Sequence, residues 1–106
     1  SFVHETESQV ILNGSYDVGF TMDLVCKDVG LFDKLTKKYK IPAELSSLML
    51  KTFQKGREKL GDRALSTSIV KLLENKCSEN LRSKGFPSYL VDHENKKDGI
   101  EVIKND

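Results

Sequence analysis

Apolar residues recur at three- and four-residue intervals through most of the first 75 positions, which is the period of an amphipathic helix. Strand-like alternation is nearly absent. Residues 6–13 read as the end of a helix closed by Asn13-Gly14, because glycine takes the left-handed position after a helix at little cost. A turn through Ser15-Tyr16-Asp17 follows. A second helix is predicted from Thr21, as N-cap, to Tyr39, with Lys34, Lys37, Lys38 and Lys40 near the end where the helix dipole favours cations. Ile41-Pro42 breaks it, and Pro42 opens a third helix that runs to Leu60 and stops at Gly61-Asp62. A fourth is expected from Ser66, as N-cap, to Glu74. These elements predict an all-α fold, a small helical bundle.

Helical spacing also predicts which faces are buried. In the third helix Leu45, Leu48, Met49, Thr52, Phe53, Gly56 and Leu60 share an arc, and Gly56 at its centre suggests that a partner backbone comes close. In the fourth, Leu65, Ile69, Leu72 and Leu73 cluster. Residues 76–106 are poorer in apolar positions and contain the turn signals Gly85-Phe86-Pro87 and Asp98-Gly99. The chain therefore divides into a helical domain, residues 1–75, and a polar C-terminal tail, residues 76–106. The tail is expected to be loosely attached, with one short helix around Leu81 and a short strand at Ile100-Glu101-Val102-Ile103.

Composition narrows the chemistry. Seventeen Lys and Arg against sixteen Asp and Glu leave a net charge of +1 over 106 residues, without the basic excess of a nucleic-acid binder. No apolar run approaches the length that crosses a bilayer, and no secretory leader is visible. His4, His93, Cys26 and Cys77 lack metal-ligand spacing, so no metal site is expected. Ser66-Thr67-Ser68 has no nucleophile-elbow context, and the lysines of residues 34–40 admit a phosphate-binding patch but, with net charge near zero, read rather as a solvated helix end. The chain begins at Ser1, and its only methionines are Met22 and Met49, which suggests a processed chain or a piece of a longer one.

The second helix carries a conflict. Phe20, Leu24, Leu31, Phe32, Leu35 and Tyr39 form one apolar stripe, and Asp28 falls within it with Lys27 on its rim. A carboxylate on a buried face is costly unless paired. Asp23, four residues before Lys27, is placed to pair with it, and Gly30 lies mid-helix at a cost of about 1 kcal/mol relative to alanine. Such local inconsistencies fall where function or close packing overrides propensity. An ordinary structural reading also fits: Asp28 accepts from a neighbouring helix, and Lys27 is a surface ion pair.

The run Gly14-Ser15-Tyr16-Asp17-Val18-Gly19-Phe20-Thr21-Met22-Asp23-Leu24-Val25-Cys26-Lys27-Asp28-Val29-Gly30-Leu31 resembles the C-terminal helical domain of the β-hydroxyacid dehydrogenase family, the group of 3-hydroxyisobutyrate dehydrogenase and of 6-phosphogluconate dehydrogenase-like enzymes. In that domain Gly-Phe, an apolar Leu and Lys-Asp-Leu/Val open a long helix. Ile41-Pro42 is similar to the family's link between helices, and Gly61-Asp62 followed by Ser66 to its turn into the last helix. Ala64 and Thr67 depart from that turn, where a second acid and an alanine are usual. The resemblance covers residues 14–75.

The resemblance implies the C-terminal half of a Rossmann-plus-helical dehydrogenase: an NAD(P)-dependent oxidoreductase of a small 3-hydroxyacid. The Rossmann domain and the linking helix with the family's catalytic lysine are expected to precede Ser1, so no catalytic residue is carried over and the fragment alone is expected to be inactive. No two glycines here are separated by one residue, so the dinucleotide-binding Gly-x-Gly turn is missing. By resemblance, Lys27 reaches NAD or NADP at the nicotinamide end, Asp28 holds backbone donors or positions Lys27, and Phe20 walls the substrate and nicotinamide pocket. The implied partners are the missing Rossmann domain, a second copy in a homo-oligomer and a small hydroxyacid, with no nucleic acid and no membrane. Cytoplasm or mitochondrion is the expected compartment. The alternative is a helical interaction module that kept the fold and lost the chemistry.

Overall fold

The computed structural model describes residues 1–91 and Gly99. Four helices carry the described residues: α1 (Phe2–Asn13), α2 (Met22–Lys38), α3 (Glu44–Leu60) and α4 (Lys71–Cys77), with a 3-10 turn, Ser66–Val70, leading into α4. Among the described residues there is no strand, only an isolated antiparallel bridge between Thr21 and Leu65. The all-α prediction holds.

The boundaries follow backbone bookkeeping. Helix α1 starts earlier than predicted because the Ser1 hydroxyl accepts from the His4 N–H at 3.3 Å, and it ends at Gly14, left-handed at φ 83°. Thr21 is the N-cap position of α2, yet its side chain does not cap the helix; it donates to Asp23, whose carboxylate also accepts from the Leu24 N–H at 3.0 Å. Pro42 lies two residues outside α3, whose N-cap is Ala43. Ser66 is not an N-cap either. Leu65 holds that position, and the Ser66 N–H donates to the Phe20 carbonyl at 2.7 Å.

That bond belongs to the seam between the loop after α3 and the entry to α2. The Met22 N–H donates to the Ala64 carbonyl at 2.7 Å and the Asp23 N–H to the Asp62 carbonyl at 3.0 Å. A helix's first N–H groups have no partner within the helix; here the loop supplies them. Arg57 grips Asp62 at 2.8 Å and Arg63 reaches Asp23 at 3.4 Å. Buried Thr67 donates to the Tyr16 carbonyl at 2.7 Å and so ties the 3-10 turn to the loop after α1.

The core centres on Val10, Tyr16, Met22, Val25 and Cys26, and α2 packs chiefly on α3. Gly56 is buried in that contact, but side chains press on it rather than the backbone its spacing predicted: an added Cβ would clash with Ile69 Cδ1 and lie 3.2 Å from Met22 Sδ.

The predicted burial of α2 is inverted. Met22, Val25, Cys26, Asp33 and Thr36 face inward, while Leu31, Phe32, Leu35 and Tyr39 are more than half exposed. The predicted α3 arc divides in the same way. Gly56 is buried and Phe53 and Leu60 half-buried, but Leu45, Leu48 and Met49 are exposed, as is Leu73 of α4.

No helix forms at Leu81. Residues 81–91 instead lie along α1. The Ser83 N–H donates to the Leu12 carbonyl at 3.0 Å, Asn13 donates to the Pro87 carbonyl at 2.6 Å, and Gln9 and Val91 exchange a reciprocal pair at 3.0 and 3.1 Å. Arg82 lies over the Tyr16 ring, bonds its hydroxyl, pairs with Glu74 at 3.1 Å and donates to the Ile11 carbonyl at 3.2 Å. The predicted strand at residues 100–103 lies outside the described residues.

Candidate functional site

Lys27 sits on the first half of α2. Its ammonium lies 3.3 Å from the Asp28 carboxylate, and the two side chains are 61% and 56% exposed. Asp28 is therefore no buried acid; the face it was predicted to share with the core looks outward. Asp23 does not pair with Lys27 either. It is held by Thr21, Leu24 and Arg63, and the Thr21 hydrogen bond is the chief reason its pKa is lowered. Phe20 is half-buried just before α2, and its carbonyl is anchored by Ser66.

The buried acid of α2 is Asp33. Lys37 reaches it at 2.7 Å, and two hydroxyls from the first turns of α3 donate to it, Ser46 at 3.0 Å and Ser47 at 2.7 Å. The Lys37 and Ser47 hydrogen bonds lead in holding its pKa down, to about 2. A charge removed from water is tolerated when its lone pairs are filled, and this one straps the end of α2 to the start of α3. Asp33 falls off the apolar stripe, so stripe counting passed over it. The signal available beforehand was its spacing of four residues from Lys37.

Lys27 also borders an open groove of about 460 Å³ between α2 and α3, lined by Cys26, Gly30, Asp33, Lys34, Leu50 and Gln54 among others. Cys26 is buried beside it, and burial pushes its thiol pKa up. His4 stands at the start of α1, and His93 lies outside the described residues. Among the described residues no three His, Cys, Asp or Glu side chains come together as metal ligands, and no helix is long and apolar enough to cross a membrane.

The chemistry of this face can be set against a nicotinamide nucleotide. Lys27 supplies three donors and no acceptor, in reach of solvent, next to the exposed apolar surface of Leu31. Ribose hydroxyls and a carboxamide carbonyl accept hydrogen bonds, and the nicotinamide ring offers a flat face to apolar surface, so the residues present fit such a group.

The family model described as NAD-binding of NADP-dependent 3-hydroxyisobutyrate dehydrogenase matches residues 1–73. The chain belongs to that family. Its cofactor is accordingly NAD or NADP. No curated protein and no solved structure matches the chain. The match begins at Ser1 and so takes in α1 as well as the residues that carried the resemblance.

Proposed function

We propose that the chain is the C-terminal helical portion of a β-hydroxyacid dehydrogenase that oxidises a small 3-hydroxyacid with NAD or NADP, and that α2 presents Lys27 to the nicotinamide end of the cofactor. The observation that carries this reading is the placement of Lys27: exposed, beside a groove, and steadied by Asp28 at 3.3 Å. The bound cofactor supplies hydride transfer at its nicotinamide C4. Lys27 donates to its ribose or amide while the lysine stem packs on apolar surface. Asp28 keeps the ammonium in place, and Phe20 excludes water from the substrate side. Proton transfer belongs to the Rossmann domain and linking helix of the parent, so this segment alone is inactive.

Lys27→Ala, introduced into the intact dehydrogenase, is expected to lower kcat/KM for NAD(P)-coupled oxidation of small 3-hydroxyacids by about tenfold or more, the worth of one charge-assisted hydrogen bond. An unchanged kcat/KM removes Lys27 from the site.

A second reading is favoured by the exposed side chains Leu31, Phe32, Leu35 and Tyr39 of α2 with Leu45, Leu48 and Met49 of α3. In it the segment is an assembly module and its apolar faces are subunit contacts in a homo-oligomer. Dinucleotide binding by the intact protein separates the two, because a pure assembly module binds none.

A further inference from the structure

The groove between α2 and α3 holds more than the Lys27 site uses. Three lysines of one helix line it: Lys27, Lys34 and Lys37. Its one lining carboxylate, Asp33, is already occupied by Lys37, Ser46 and Ser47. Lys27 shares its charge with Asp28 outside the lining. Lys34 has no salt bridge to any described residue. The groove therefore carries a net positive charge although the whole chain is nearly neutral. Gln54 adds an amide donor from the α3 side.

Gly30 lies between Lys27 and Lys34 on the same lining. Glycine weakens a helix interior relative to alanine, and neither backbone nor packing demands it here. A Cβ at Gly30 would touch only Leu50 Cδ1, at an ordinary 3.8 Å. What the missing side chain does is leave the groove floor open between the two lysines. Lys27 and Lys34 start about 10 Å apart along the helix axis, and each has a flexible four-carbon stem long enough to bring its ammonium over that floor.

We infer that this groove is a binding site for a phosphate-bearing anion, held by Lys27 and Lys34 from α2 and by Gln54 from α3 over the bare backbone of Gly30. This rests on the reading of Lys27 as a ligand-facing residue and extends it along the helix. The phosphoryl group belongs either to a dinucleotide or to a small phosphate ester.

The test is a titration of the intact isotope-labelled protein with inorganic pyrophosphate, followed through backbone amide shifts, beside sodium chloride at matched ionic strength. Saturable shifts at Gly30, Lys34 and Gln54 with pyrophosphate alone are expected. Lys34→Ala weakens that binding by at least about threefold, the range of an exposed charge pair. Gly30→Ala does the same while raising the thermal midpoint, because alanine stabilises the helix but fills the floor. NADP shifting the same amides identifies the dinucleotide as the source, and glycerol 3-phosphate shifting them identifies a phosphate ester. Equal shifts with chloride, or no shift at these three residues, overturn the site. A groove that ignores pyrophosphate in a protein whose kcat/KM still falls with Lys27→Ala rejects this inference and leaves the dehydrogenase reading intact.

Discussion

Met22→Ala is expected to destabilise the chain by about 3 kcal/mol, the middle of the range for removing a large buried side chain. Met22 is fully buried. Its thioether fills the space beside Gly56, while its backbone N–H is fixed to Ala64. The main chain is thus held on one side and the surroundings collapse only partly into the void. For a domain of this size the thermal midpoint should fall by roughly 15 °C. Leu31→Ala is the matched control. It removes an apolar side chain of similar size from the stripe predicted to be core, yet Leu31 is 55% exposed, and a change within about 0.5 kcal/mol is expected. Urea denaturation of both variants checks the pair. Equal losses would mean that the Leu31 face of α2 is buried as well.

Asp33→Asn is expected to lower the urea midpoint at neutral pH and to flatten its dependence on acid. The Asp33 pKa is depressed from an ordinary 3.8 to about 2 in the folded chain. A depressed folded-state value means that the unfolded chain takes up the proton first, so stability is fully present above about pH 4 and is lost as pH falls through about 2. Asp23 and Asp62 are lowered as well and add their own acid slope to both proteins. The difference between the two curves therefore isolates Asp33. It should shrink steadily between pH 4 and pH 2. Parallel curves across that window would show that Lys37, Ser46 and Ser47 do not hold the ionised carboxylate.

The helix order and the all-α class were legible in the sequence because Asn13-Gly14, Ile41-Pro42 and Gly61-Asp62 interrupt the chain by local backbone chemistry, which needs no knowledge of neighbours. Burial was not legible in the same way. Leu31, Leu35 and Tyr39 make an apolar stripe whether their partner lies inside this chain or elsewhere, and periodicity does not distinguish the two. Asp28 looked anomalous because the stripe was assigned inward. Once the stripe faces out, Asp28 is an ordinary exposed partner for Lys27. Asp33 looked ordinary because its company, Ser46 and Ser47, lies thirteen and fourteen residues away across a loop. Gly56 pointed correctly to a close approach, though spacing did not tell a methionine and an isoleucine from a backbone. The roles of Lys27, Asp28 and Phe20 came from the family resemblance, whereas the groove beside Lys27 is visible only when α2 and α3 are side by side.

Helix α2 turns much of its oily surface outward and meets α3 partly through a carboxylate, two hydroxyls and an ammonium. Unfolding such a pair wets less hydrocarbon than unfolding one packed through apolar side chains alone. The heat-capacity increment per residue should therefore fall below the roughly 12–15 cal/mol/K usual for globular chains. The curve of stability against temperature flattens with it, and chilling removes less of what holds these two helices together than it would from a pair joined by grease alone.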